Sequence, residues 1–509
     1  MRTRIWLLTL LGCLGNCSLL LAAEPAKGPP SPSELAATID RMMAARSQAD
    51  SSAVAPIADD ATFLRRVTLD LVGRIPTVAE TRAFLEDSRP HKRKRLIEQL
   101  TQSPAYARHW ATIWRHHWIP QAEVGQTQLA DEIDAWLVRQ FQQNTRYDRI
   151  VADLLLAPAR GSNQSVPATF LAAGEFKPEN LAANTTRVFL GLNLDCAQCH
   201  NHPFAEWTRN QFWETAAFFT RVPKASTVAA LEIAIPDTKR TVRPKLLTEP
   251  QPQWPAEITA DTGRQILTQW LIAKQNPYFA RNAVNRLWAE LFGIGFIEPL
   301  DDLSSDLPVA HADVLAELTR AFQASDYDLR YLTQALVLTQ AYQRSSRSPE
   351  GGTGSGPFAR ARVRGLTGEQ LYDSLLTAAG LPPERNDLNR STERSERDRF
   401  VQQFRIDRPG TAQRSILQSL TMMNGARITR LTDPQRVPLL QGLIDAPFLT
   451  SSDQIESLVL ATLNRFPTTE ETATLAAYLE SAAAKQQSSQ ALSDLFWALL
   501  NSSEFNTNH

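Results

Sequence analysis

Apolar residues recur at three- and four-residue spacing along most of this chain, the period of amphipathic helices. In ATFLRRVTLDLVGRIP the positions Phe63, Leu64, Val67, Leu71 and Val72 share one face, and Gly73 and Pro76 end the run. PTVAETRAFLED follows with Pro76 leading its first turn, then HKRKRLIEQLTQSPAYARHWATIWRHHWIP, QLADEIDAWLVRQFQQN and YDRIVADLLLAPA, a series of short helices joined by tight turns. NLAANTTRVFLGLN and WTRNQFWETAAFFTRV read as two further helices, one on each side of a segment that holds two cysteines. From 222 to 260 the texture changes to Pro- and Thr-rich sequence with short β-like runs such as LEIAI. Helical period resumes at DTGRQILTQWLIAKQNPYFARNAVNRLWAELFGIGF and continues, past a flexible Gly/Ser-rich break near 346–357, to LSDLFWALLNSSEF. No repeat of fixed period emerges. The expected fold is mainly α and multi-helical. After a Pro-rich start and first helix at 24–58, it has two helical domains, 59–221 and 261–505, joined by an irregular linker with a small β insertion at 222–260.

A length of 509 residues exceeds what one core usually serves, in line with two domains. The 53 basic and 54 acidic side chains leave a formal net charge of −1, which lacks the basic footprint of a nucleic-acid partner. The N-terminus has Arg2 and Arg4, an apolar run from Ile5 to Ala22, small residues at Ala22 and Ala23, and then a Pro-rich polar stretch. That is the layout of a secretory signal over 1–23. LLGC at Cys13 has the form of a lipoprotein cleavage site, but apolar sequence continues beyond it, so cleavage near Ala23 is the expectation. No later stretch reaches the roughly 18 uninterrupted apolar residues of a membrane span. The mature product is expected to be exported, periplasmic or extracellular, with no span beyond the signal.

Removal of the signal takes Cys13 and Cys17 and leaves only Cys196 and Cys199, which stand in C-x-x-C-H with His200. A random pair in so long a chain falls three apart less than about one time in a hundred. Two thiols at this spacing can add to the two vinyl groups of one haem, and the adjacent imidazole then lies under the iron as proximal ligand. Attachment of that kind happens outside the cytoplasm. The alternatives are a C-x-x-C disulfide or free dithiol, which closes too short a loop to stabilise much, and zinc held by Cys196, Cys199, His200 and His202. A thioredoxin-like pair fits less well, since the neighbourhood is helical rather than βαβ.

A second iron ligand from the protein would be His or Met. In RHWATIWRHHW, Trp110, Trp114 and Trp118 share one helical face, while His109 and His116 share another and are distal candidates. A core stripe edged by histidines explains the same pattern. His117 lies nearer the aromatic face. Met422 and Met423 in LTMMNG are the distant methionine candidates, against packing as the commoner use of Met. His202 is too close to His200 to reach across the same iron and suits a neighbouring role. Glu298, Asp301, Asp302 and Asp306 could serve a hard cation, but the loop lacks the Gly and closing Glu of an EF-hand and reads as a solvated helix cap. Asn282, Arg286 and Trp288 read equally as a contact surface or as packing. There is no G-x-S-x-G, H-E-x-x-H, Walker loop or dinucleotide fingerprint.

FLRRVTLDLVGRIPTVAETRAFL together with TRVFLGLNLDCAQCHNHPFAEWTRNQFWETAAFF resembles the cytochrome-like PSCyt module of planctomycete-type exported proteins. NPYFARNAVNRLWAELFGIGFIEPLDDL, LTGEQLYDSLL, LQSLTMMNG and LFWALLNSSEF resemble the PSD module that usually follows it. The resemblance covers nearly the whole mature chain and implies no substrate. Where the family commonly has aspartate this chain has Asn201, which puts a carboxylate role at that point in doubt. Two classes of function remain. One is an exported c-type cytochrome-like electron-transfer component with haem c and a redox partner protein. The other is a non-haem exported binding or assembly protein with a disulfide or zinc-organised corner.

Overall fold

The computed structural model describes residues 28–49, 53–119, 127–158, 165–222, 231–256, 259, 261–303, 309–347, 356–382, 391–405 and 415–509. Residues 1–23, Asp306 and most of the 346–357 break lie outside them. The protein is mainly α. Among the described residues the only strands form two antiparallel pairs, Ile233–Ala234 with Thr241–Val242 and Arg364–Gly365 with Thr507–Asn508. The first pair is the small β insertion of the 222–260 stretch. Among the described residues no helix is long and apolar enough to cross a membrane.

The helix boundaries have local causes. Thr77, Thr208 and Thr367 each accept from a backbone N–H three residues on, and Glu80, Gln211 and Gln370 reach back to close the box. Asp59 caps helix Asp60–Val72, and Gly73 ends it at φ 77°, donating its N–H to the Leu69 carbonyl. Gly73 is required for a second reason. A Cβ there would lie 2.5 Å from Nδ1 of His109, so the histidine packs where a side chain would stand.

Two hydrophobic cores form. The first gathers side chains from Leu35 to Phe358, with Trp110, Trp114, Trp118 and Trp288 almost wholly buried. It runs straight across the 222–260 stretch: Tyr147, before it, stacks on Phe279, after it, with ring centroids 4.9 Å apart. The second core draws on Leu366 to Phe505, together with Leu69 and Ile75. Helices of the 261–505 stretch are therefore shared between both cores, and the change from one core to the other falls between Phe358 and Leu366.

Helix Asp60–Val72 belongs to both. Phe63, Leu64, Val67, Leu71 and Val72 enter the first core and Leu69 the second. Its polar residues are buried too. Arg65 donates to the Thr462 carbonyl at 3.0 Å, Asn464 Oδ1 at 2.7 Å and the Phe505 carbonyl at 2.6 Å. Arg66 donates to the carbonyls of Tyr342 and Arg344 at 2.5 and 2.8 Å. Asp70 accepts twice from Arg364, at 2.8 and 2.9 Å, and once each from the Tyr342 hydroxyl at 2.8 Å and Asn508 Nδ2 at 2.7 Å. Buried charge is tolerated here because each group is met by several partners. Asp70→Ala, which strands the Arg364 guanidinium, is expected to cost about 3–5 kcal/mol in urea unfolding. Asp59→Ala, which removes only a cap, should cost about 1 kcal/mol. Equal costs for the two would contradict the role assigned to Asp70.

Candidate functional site

The cysteine segment is mounted from behind. A wide helical turn, Thr186–Leu190, ends at Gly191 with φ 66°, where a Cβ would press on Asn282 Oδ1 and the Leu303 side chain. The Gly191 carbonyl accepts from Leu303 N–H at 2.8 Å. Asn282 Nδ2 donates to the Val188 carbonyl, and Arg286, buried and bonded to Asn282 Oδ1, donates to the Arg187 carbonyl at 3.0 Å. Arg187 in turn pairs with Asp195 at 2.9 Å. The residues Asn282 and Arg286 thus act as a bracket for the motif, and Trp288 is core, stacked on Phe292 at 3.8 Å.

The motif itself is a tight three-residue-per-turn helix, Asp195–Gln198, with Leu194 and Ala197 fully buried as pegs. Its far side is fixed by the Gln198 carbonyl, which accepts from Trp213 Nε1 at 3.0 Å and Arg209 Nε at 3.3 Å. Cys196 and Cys199 are exposed free thiols, not joined in a disulfide. In a helix of three residues per turn, side chains three apart eclipse, so both thiols leave on the solvent side.

The two histidines differ. His200 is exposed, and its Nδ1 lies 2.7 Å from the Asn201 carbonyl. A carbonyl only accepts, so Nδ1 carries a hydrogen, and in the neutral ring Nε2 keeps a free lone pair. His202 Nδ1 accepts from Phe204 N–H at 3.1 Å, which in the neutral ring puts the hydrogen on Nε2. His200 thus keeps one ring nitrogen open, and His202 staples its own loop. Asn201 Oδ1 accepts from Arg209 N–H at 3.0 Å, at the start of helix Arg209–Ala216. An amide serves that purpose as well as a carboxylate, which accounts for asparagine here. Among the described residues no group of three or more His, Cys, Asp or Glu is arranged to hold a metal ion, so a zinc set of Cys196, Cys199, His200 and His202 is not preformed.

The other candidates sit elsewhere. Met422 is buried in the second core, and half-exposed Met423 accepts from Trp497 Nε1 through its carbonyl. Trp110, Trp114 and Trp118 are core, and Trp118 meets Phe189 ahead of the motif at 6.3 Å. The histidines of helix Pro104–Trp118 face a junction with helices Phe279–Phe292 and Gly368–Ala378. His116 Nε2 is 3.7 Å from Glu369 and His117 Nε2 is 3.7 Å from Glu290, too long for hydrogen bonds. Glu290 and Glu369 were not visible as partners from the sequence, and the discounted His117 is the ring that reaches Glu290. Arg364, which holds Asp70, also donates to the Glu290 carbonyl at 2.5 Å.

Burial pulls His109 down to about 4, against the opposing pull of Glu290 and Glu369. Burial also takes His116 to about 4; Glu369 opposes it, and Arg115, with Nη2 2.8 Å from the ring, reinforces it. Burial would raise Glu290, yet the facing His117 and Arg364 hold it below the ordinary carboxylate range. Burial thus favours the neutral rings of His109 and His116, while Glu290 is held ionised. Because His109 and His116 bind protons more weakly when folded than at the ordinary value of 6.5, the unfolded chain protonates first as pH falls. Stability should drop as pH falls from 6.5 towards 4. Unfolding midpoints measured between pH 6.5 and 5 should show a shallower decline in His109→Gln than in the wild type; identical slopes would refute the buried neutral ring.

Two protein-family models match the chain: PSCyt2, a protein family of unknown function, over residues 38–224, and PSD1, also of unknown function, over residues 263–416. No curated protein and no solved structure matches it. The bracketed C-x-x-C-H turn lies within the first match, and Asn282 and Arg286, which hold it, lie within the second. The chain thus carries a PSCyt2-type module followed by a PSD1-type module, in that order.

Proposed function

We propose that the protein is an exported, c-type cytochrome-like electron-transfer component that carries one haem, tethered by thioethers to Cys196 and Cys199, with His200 as proximal iron ligand. The observation that carries this reading is the shared orientation of three donors: two free thiols on the solvent side of one turn, and beside them an imidazole whose Nε2 is left open. A proximal histidine ordinarily has its other ring nitrogen bonded to a carbonyl, which fixes the tautomer and ring plane. The Asn201 carbonyl does this for His200. The residues present fit the group.

Haem, when bound, supplies reversible one-electron chemistry. This chain's residues position and expose it. Leu194 and Ala197 anchor the turn in the core, while Arg209 and Trp213 stop the Gln198 carbonyl from rotating. Phe204, 92% exposed on the same loop, is the apolar side chain available to lie against a ring edge or a redox partner. The secretory layout of residues 1–23 and the chemistry of thioether formation call for the same compartment.

In a host with a working cytochrome c maturation system, exported wild type should gain one haem-sized mass and give a haemochrome spectrum in alkaline pyridine. Cys196→Ala with Cys199→Ala should give neither. His202→Ala, which removes only the loop staple, should keep both. A colourless wild-type product from that host would overturn the proposal in favour of the non-haem binding or assembly reading, and bound zinc by elemental analysis would identify the metal-organised form.

A further inference from the structure

With haem tethered at the cysteine turn, the chain either places a second His or Met opposite His200 or leaves that side of the iron to solvent. All eight histidines, and every methionine but Met1, lie among the described residues, so the supply can be followed residue by residue. The turn packs against helix Arg209–Ala216, which packs in turn against Pro178–Thr185, Ala217–Phe219 and the strands Ile233–Ala234 and Thr241–Val242. None of these elements contains His or Met.

The other imidazoles and methionine sulfurs are committed elsewhere. The three histidines of helix Pro104–Trp118 stand at the junction with Glu290 and Glu369, and Met422 and Met423 belong to the second-core side. His91 leads helix Lys92–Gln102, whose neighbours are Asp60–Val72, Pro104–Trp118 and Leu329–Leu338. His311 is buried against the Phe358 ring at 5.7 Å, and Arg66 holds the His509 carbonyl at 3.2 Å. Met42 and Met43 pack into the first core from helix Pro32–Ala49. That leaves His202, on the loop itself. Its N–H donates to the Trp207 carbonyl at 2.8 Å and its Nδ1 accepts from Phe204 N–H at 3.1 Å. Two residues of extended chain span about 7 Å, too little to pass round the edge of a macrocycle whose other face His200 occupies.

We infer, resting on the haem reading above, that His200 is the one protein ligand of the iron and that the position opposite it is a binding site for a small uncharged lone-pair donor from solvent, of the class of carbon monoxide, nitric oxide or an unhindered imidazole. Cys196, Cys199 and His200 are all exposed, so tether and proximal ligand hold the group at the surface, where the opposite position is reached from water. Phe204, 92% exposed on the same loop, offers an apolar ring and no ligating lone pair. An iron with two protein ligands is saturated and only passes electrons, whereas steric access to an open position lets a ligand bind and change the state of the iron. Ligand occupancy thereby regulates the electron-transfer role.

The test uses haem-loaded protein from the maturation-competent host, read by optical absorption and electron paramagnetic resonance. The ferric wild type is expected to be high-spin and to turn low-spin on titration with imidazole, one per haem, and its ferrous form is expected to bind carbon monoxide. His116→Gln, His202→Ala and Met423→Leu, each checked for folding by circular dichroism, should stay high-spin and change the imidazole midpoint less than about twofold, since none of them removes an iron ligand. A ferric wild type that is low-spin and ignores both imidazole and carbon monoxide overturns the inference and leaves the haem reading standing. So does a low-spin wild type that any of the three substitutions turns high-spin, which would name the ligand the chain supplies, or one that turns high-spin only on dilution, which would place that ligand on a second copy. A product without covalent haem overturns the haem reading itself and this inference with it.

Discussion

The structure depends on one helix with charged residues on a face that has no access to water. Helix Asp60–Val72 gives apolar side chains to both cores, and Arg65, Arg66 and Asp70 tie it to carbonyls and side chains from the far half of the chain. Unpaired, these groups would cost several kcal/mol each. Paired, they allow only one arrangement of their partners, since a shift of register would strand at least one charge. The same network reaches the histidine junction through Arg364.

The cysteine turn follows the same logic on a smaller scale. Its backbone is held by Arg209 and Trp213 on one side and by Arg187, Asn282 and Arg286 on the other, so the reactive side chains are left to solvent. The bracket comes from the second family module and the turn from the first. This gives a physical reason for the two to occur in one chain: without Asn282 and Arg286 the Val188 and Arg187 carbonyls lose their donors, and the approach to Gly191 loosens.

The helical pattern was legible because it is local. The glycine stop at Gly73 and the apolar face of Phe63, Leu64, Val67, Leu71 and Val72 lie within one helix length, and each does what its spacing implies. The other face of that helix was not legible. Arg65, Arg66 and Asp70 have the pattern of a solvated surface, and they are buried because partners such as Tyr342 and Asn508 arrive from 272 and 438 residues along the chain. The histidine junction was hidden for the same reason, as Glu290 and Glu369 lie on distant helices. The cysteine motif stood out at once, but the difference between His200 and His202 rests on which ring nitrogen meets a carbonyl and which meets an N–H, and no spacing encodes that.

The proposed function makes the two thiols of the turn thioether anchors and not a redox dithiol or a metal corner. Its most direct test is peptide mass spectrometry on protein purified from its own source and treated with iodoacetamide under denaturing conditions. The peptide containing Gly191 to Trp207 should carry one haem and take up no alkylating reagent. The same peptide with two carbamidomethyl groups and no haem would contradict the claim.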